Sequence, residues 1–363
     1  MANPISFDQL HTALEDLADD AGFAGVVAVR RGLEHLFEGG YGPASRRWPV
    51  PVELGTRFDT ASITKLFTAV AVLQQVDAGR IGLAESIHDF VDLAGTQIPS
   101  EATIRHLLTH TSGIADDADE EAGEDYAALW VDKPCYAVTE TIHFLPQFVH
   151  KTPNFPPGEG CRYCNVGYVL AGLALEKVTG MPYREYVVGH VFERAGMATA
   201  GFFDRRDAEP DVAEGWDPVR DEAGSITGWR QNIFSYPPIG SPDGGAHVTA
   251  GDLLTFVAAV RSGALLSPET TAAFLTPQVV HDTREDGSAM HHGFGLEFDV
   301  APDGTVRSWS KDGVNAGASG IVRHYPDRGV DVVVLAATEG GAWTPARWVH
   351  DLVLGLPVAG GSD

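Results

Sequence analysis

Apolar positions along the chain fall into two periods. From about 7 to 20 they recur every three to four residues, which predicts an amphipathic helix, and GVVAVRRGLEHLFEGGYG after Ala24 then reads as two short strands around a turn near Arg31 and Gly32. From Ser62 to Val76, SITKLFTAVAVLQQV is apolar around nearly its whole circumference and ends at Gly79, as expected of a helix buried inside a protein. Lys65 is the anomaly in it. Between about 84 and 250, helical patterns such as TIRHLLTH and NVGYVLAGLALEKVTG alternate with long loops rich in Pro, Gly and Asp. A helix at about 250–262 precedes strand-like segments around 293–300, 305–311, 318–325 and 330–337, with turns at Asp303-Gly304 and Asp327-Arg328-Gly329. A last amphipathic stretch, TPARWVHDLVLGL, can lie back across these strands.

Together these elements predict an α+β fold: a central antiparallel sheet flanked by terminal helices, with a mostly helical lobe inserted. No linker, repeat or low-complexity tract divides the chain, so residues 1–363 are expected to form a single catalytic domain. Its sheet-and-helix lobe takes in about 1–80 and 250–363, and the inserted lobe about 81–249. A site is expected at the seam between them.

With 363 residues, 44% apolar and 21% charged, the chain can bury a large core without staples. The formal charge of -25 repels phosphate and so argues against nucleic acid or anionic lipid as partners. The opening MANPISFDQLHTALEDLADD has no basic patch leading into an apolar run, and nowhere do 18 apolar residues follow one another, so the expected location is the cytoplasm, without membrane association. Cys135, Cys161 and Cys164 are an odd number of thiols, which fits a reducing compartment. Cys161 and Cys164 form a C-x-x-C, but no second pair stands at a convincing position. Neither a metal nor an organic cofactor is therefore expected.

The usual hydrolase signatures are missing: there is no G-x-S-x-G, no H-E-x-x-H and no phosphate-cradling G-x-x-x-x-G-K-[ST]. What remains is S-x-x-K, at Ser62 to Lys65 on the buried helix and again at Ser308 to Lys311 in a strand-like segment. One of the two is accidental. Composition favours the first, because the chain has only five lysines (Lys65, Lys133, Lys151, Lys177 and Lys311) against twenty arginines. Arginine cannot release its proton, whereas a buried lysine can be tuned to do so, and a lysine inside an apolar helix therefore suggests chemistry.

At this point the chain resembles the serine beta-lactamase and penicillin-binding protein superfamily: class C beta-lactamases, D-alanyl-D-alanine carboxypeptidases, and beta-lactamase-like esterases and D-aminopeptidases. The resemblance rests on motifs in one order: FDTASITKLFTAVAVLQQVDAGRIGL, IRHLLTHTSGI, PPGEGCRYCNVGYVLAGLALEKVTG, GSPDGGAHVTAGDLLTF and SKDGVNAGASG. It implies that Ser62 is the nucleophile, that Lys65 or Tyr163 takes its proton, and that Tyr163 and Asn165 form a Y-x-N element. Lys311, Asp312 and Gly313 stand where the family has K-T-G or H-x-G, and the backbone N–H groups of Ser62 and Val314 would receive the oxyanion. His106 and His110, at metal spacing, correspond to a structural helix end and are read as packing residues.

Two departures bear on substrate. Asp312 replaces a threonine that helps hold a carboxylate, which counts against antibiotic and cell-wall substrates unless its side chain faces away. Cys164 replaces the serine of Y-S-N and is read as a packing substitution. The acidic run 116–125, DDADEEAGED, is read as a solvated loop at one rim, and Trp130, Tyr136, Phe144 and Phe148 as candidates to line an acyl pocket. The expected function is hydrolysis of a small-molecule ester through an acyl-serine. A D-aminopeptidase, amidase or acyltransferase is the alternative, a beta-lactamase or D,D-carboxypeptidase ranks lower, and a catalytically silent binding module of the same fold is the rival from another class.

Overall fold

The computed structural model describes residues 6–355. Helix α1 (Phe7–Ala21) starts on Ser6, whose side chain accepts the Gln9 N–H, and stops at Gly22 in the left-handed region. The hairpin β1 (Gly25–Arg31) and β2 (Glu34–Tyr41) follows, then β3 (Phe58–Asp59) and the buried helix α2 (Thr64–Asp77). The middle of the chain holds α3 (Ile104–Leu108), a series of 3-10 turns, α4 (Asn165–Thr179), α5 (Tyr183–Val187) and α6 (Glu193–Ala195). After these come the hairpin β4 (Trp216–Arg220) and β5 (Ile226–Gln231), and β6 (His247–Val248), which pairs with β3. Helices α7 (Ala250–Arg261) and α8 (Pro268–Phe274) lead into β7 (Val279–Thr283), β8 (Ala289–His292), β9 (Glu297–Val300), β10 (Val306–Asn315), β11 (Ala318–Tyr325) and β12 (Val330–Ala336). Helix α9 (Trp343–Leu354) closes the described chain.

The main sheet has eight antiparallel strands in the order β2-β1-β12-β11-β10-β9-β8-β7. The first and last of its strands in sequence pair one strand in from the β2 edge, with Gly25 opposite Ala336. Side-chain alternation assigns each strand two faces. Val27 and Val29 of β1, with Val330, Val332 and Val334 of β12, pack under α1 and α9 through Leu10, Leu14, Trp348 and Val349. Val26, Ala28, Val333 and Leu335 turn the other way, onto the larger core that contains Phe67, Val70 and Leu73 of α2. Because helices cover both faces, β12 is buried from end to end, and each valine or leucine so placed contributes roughly 1.5–3 kcal/mol.

The α+β architecture with a central antiparallel sheet and flanking terminal helices is what the periodicity predicted. Two parts differ. Strands β7 and β8 extend the sheet beyond the expected segments; as an edge pair rich in His and Asp, with half-buried valines, they lack clean apolar alternation. The inserted lobe is also less helical than expected, since it contains the β4–β5 hairpin and long irregular stretches. Among the described residues, no helix is long and apolar enough to cross a membrane.

The acidic run needs correction at its start: Asp116 and Asp117 are buried, not solvated, whereas Glu120 to Asp125 are exposed as expected. Helix α4 has Cys164 as its N-cap residue, and that side chain makes no capping bond. Asp116 does the work instead: it accepts the backbone N–H groups of Asn165 at 2.8 Å and Val166 at 3.0 Å, satisfying donors that the helix start leaves open. Burial pushes the Asp116 carboxyl up to about 6, with the two N–H bonds and Lys65 pulling the other way. Asp117 is raised well above the ordinary value by burial and by Asp116.

Replacing Asp116 by Ala is expected to destabilise the protein by about 2 kcal/mol or more in urea unfolding, because two helix N–H groups lose their acceptor. The pH dependence has a definite sign. A carboxyl raised from its ordinary 3.8 to about 6 stabilises the fold fully below the lower value and loses that contribution as pH rises through the upper. Wild-type stability relative to Asp116→Asn is therefore expected to fall as pH rises between about pH 4 and about pH 7, measured by urea unfolding.

Candidate active site

Ser62 lies in a 3-10 turn, Ala61–Ile63, that runs directly into α2. Ala61 before it has φ 42°, a left-handed conformation that a residue with a Cβ rarely adopts. Its N–H is held by Asp59 at 2.8 Å. Strand β10 crosses the turn closely at Gly313, where an added Cβ would lie 2.2 Å from the Thr60 carbonyl oxygen and 2.7 Å from the Ser62 nitrogen. Only glycine fits there.

Lys65, one turn along, is fully buried. Its Nζ donates to Ser62 Oγ at 2.9 Å, Asn165 Oδ1 at 2.7 Å and the Asp243 carbonyl at 2.6 Å. Three donors meet three acceptors. In the neutral amine two donors would remain for Asn165 and Asp243, and the lone pair would face the serine hydroxyl, so one geometry serves both protonation states. Asn165 is itself fixed, its Nδ2 donating to Asp116 and Glu120 at 3.1 Å each.

Tyr163 precedes α4 and stands between two cations, with the Lys65 Nζ 5.1 Å and the Lys311 Nζ 4.8 Å from its ring centroid. Its backbone N–H donates to Glu121 at 2.7 Å, and His110 stacks on its ring at 4.6 Å. His110 is buried with φ 58°, and its Nδ1 accepts the Cys164 N–H. Burial, then His292, Lys311 and Lys65, hold its imidazole well below the ordinary value, so it is a neutral packing plate. His106 closes a capping box with Thr103 at the start of α3.

Lys311, on β10, is buried and donates to Glu297 Oε1 at 2.6 Å, with Asp312 Oδ1 at 3.4 Å. Burial alone would pull this ammonium down, but Glu297, Tyr163 and Asp312 together outweigh it and hold it well above the ordinary lysine value. Ser308, three residues back on the same strand, points to the opposite face, which makes the second S-x-x-K match accidental. Asp312 does not turn away: it lines the depression beside Ser62 together with Glu121, Tyr163, Lys311 and Val314.

A second depression meets the first at Ser62 and is lined by Asp59, Tyr126, Asn165, Arg205, Tyr236 and Asp243. The aromatic wall therefore comes from Tyr126 and Tyr236. Of the expected aromatics, Phe144 and Phe148 lie in the main core, Trp130 packs with Cys135 and Tyr236, and Tyr136 is exposed. Sequence reasoning also missed Glu297, Asp116 and the Asp243 carbonyl. The first two sit outside the motifs, and a backbone carbonyl leaves no trace in residue identity.

The Beta-lactamase family model matches residues 10–354. Penicillin-binding protein 4* of Bacillus subtilis is 27% identical over 337 residues, covering 91% of this chain and 71% of its own. Esterase EstB of Burkholderia gladioli is 28% identical over 342 residues, covering 86% of this chain and 85% of its own. Among solved structures, the penicillin binding protein from Bacillus halodurans superposes with a TM-score of 0.86 at 36% identity, covering 94% of this chain and 99% of that one. A match spanning almost the whole chain, on a fold that gathers a buried lysine against a strained serine turn, means that this protein belongs to the beta-lactamase family of serine hydrolases.

Proposed function

We propose that the protein hydrolyses carboxylic esters of small molecules through an acyl intermediate on Ser62. The observation that carries this reading is the state of Lys311. Its ammonium is already paired with Glu297 at 2.6 Å and flanked by Asp312, so the position that would attract a substrate carboxylate is neutralised. An uncharged acyl donor meets no such penalty.

In the proposed reaction Ser62 Oγ attacks the ester carbonyl carbon as Lys65 Nζ takes the hydroxyl proton, and the backbone N–H groups of Ser62 and Val314 receive the negative charge that forms on the carbonyl oxygen. The C–O bond to the leaving group then breaks, and the departing alkoxide takes a proton from the Tyr163 phenol or from Lys65. Water repeats the sequence on the acyl-serine and frees the acid. Asn165 keeps Lys65 aimed, and Gly313 allows β10 to approach the turn.

The carboxylates Glu120, Glu121 and Asp312 around Ser62 favour a second reading, an amidase or aminopeptidase whose acyl donor carries a free amine. The alternative of acyl transfer to an added alcohol or amine differs only in what attacks the acyl-serine.

Release of p-nitrophenol from p-nitrophenyl butyrate tests the first reading. The Ser62→Ala variant is expected to lose about 10⁴-fold or more in kcat/KM, and Lys65→Arg to lose nearly as much, since arginine keeps the charge but cannot accept the proton. Faster turnover of D- or L-aminoacyl p-nitroanilides than of butyrate would favour the amidase, and inertness toward both would overturn the hydrolase reading. Asp312→Asn is expected to raise the ratio of kcat/KM for an anionic ester, such as mono-p-nitrophenyl succinate, over the neutral butyrate by about fivefold, the scale of one partly exposed charge.

A further inference from the structure

Cys161 and Cys164 part company in the fold. Cys164 is buried and its Sγ faces the Ile114 carbonyl at 3.6 Å, whereas Cys161 meets two histidines from the far end of the chain. His281 on β7 and His292 on β8 each bring a ring nitrogen to within 4.8 Å of the Cys161 sulfur and of one another. In the same two rings, the buried Nδ1 of His281 and Nε2 of His292 have no hydrogen-bond partner. His292 is 3% exposed, so water does not readily replace the missing partner. Cys161 has only a weak contact of its own, 3.9 Å to the Thr109 carbonyl.

We propose that Cys161, His281 and His292 form a binding site for a borderline-soft divalent metal of the zinc class, which staples the segment carrying Tyr163 to the β7–β8 edge of the sheet. One thiolate and two imidazoles suit zinc or cobalt(II) and do not suit the oxygen-seeking magnesium or calcium. Coordination would release the thiol proton to solvent and leave the ion with two neutral ligands, one anionic ligand and an open fourth position. His281 and His292 line the depression shared with Tyr163 and Glu121, and the Glu121 carboxylate, 3.9 Å from His281 Nε2, would add negative charge near the ion. Tyr163 is two residues from one ligand, and His110 stacks on its ring while meeting His292 edge-on. The metal would therefore tie Tyr163 both along the chain and through His110, as a positioning device. C-x-x-C spacing conceals this site, because its partners are separated in sequence and meet only through pairing of β7 with β8.

The test is cobalt(II) titration of reduced, chelator-treated protein, read by absorbance and thermal unfolding. One equivalent is expected to bind, with a thiolate-to-cobalt charge-transfer band in the near ultraviolet, visible bands of tetrahedral intensity, displacement by zinc and a rise in Tm. Cys161→Ser should abolish the charge-transfer band and weaken binding by about 100-fold or more, His281→Asn should weaken it similarly, and Cys164→Ser should leave band and affinity unchanged. Circular dichroism verifies that each variant is folded, and His281, on an edge strand and partly exposed, provides a variant that does not disturb the core. Absence of the band from the wild type at millimolar cobalt, or its survival in Cys161→Ser, overturns the proposal. These readouts are independent of whether Ser62 acts on esters or amides.

Discussion

The buried amine of Lys65 is the constraint around which the structure is arranged. A lysine head group in a largely apolar buried helix is costly and is tolerable only if its donors are met. The three oxygens that meet it come from three parts of the chain: Ser62 from the turn, Asn165 from the start of α4, and the Asp243 carbonyl from the loop before β6. Satisfying one charge thus fixes three elements relative to one another. The requirement propagates outward, because Asn165 holds its orientation only through Asp116 and Glu120. Within what looks like a solvated acidic stretch in the sequence, Asp116 and Glu120 support the lysine.

A second cation is handled differently. Lys311 is not shared among neutral oxygens but matched by a carboxylate, and a further carboxylate stands next to it in sequence. Tyr163 sits between the two lysines, one held by dipoles and the other by charge. The pair therefore presents a cleft with lysine side chains close to the serine and carboxylates around its rim.

Much of this was legible in the sequence, for reasons that differ by residue. Helix α2 announces itself by apolar residues on every side, and Lys65 by contradicting them in a chain that otherwise prefers arginine. The central strands β10 to β12 show clean alternation or continuous apolar runs because helices cover them. Edge strands β7 and β8 do not, since one side of each is open and polar, and so His281 and His292 went unplaced. The acidic run misled because charge composition reports solvation only where no helix end or cation draws the chain inward. Phe144 and Phe148 misled in the opposite sense: an aromatic residue reads the same whether it lines a cleft or fills a core.

The pairing of β1 with β12 sets a clock on synthesis. The ribbon β1–β2 is made long before β12, so one of its edges waits for a strand from far along the chain. A two-stranded ribbon is marginal by itself, and its free edge, with valines on both faces, invites wrong partners until β12 arrives. β12 thus joins the hairpin to the rest of the sheet, and β11, which pairs with the Lys311-bearing β10, gains its second partner only when β12 is seated. Pairing within the site's sheet is for this reason long-range, and the hairpin depends on whatever shields its open edge until β12 has been made.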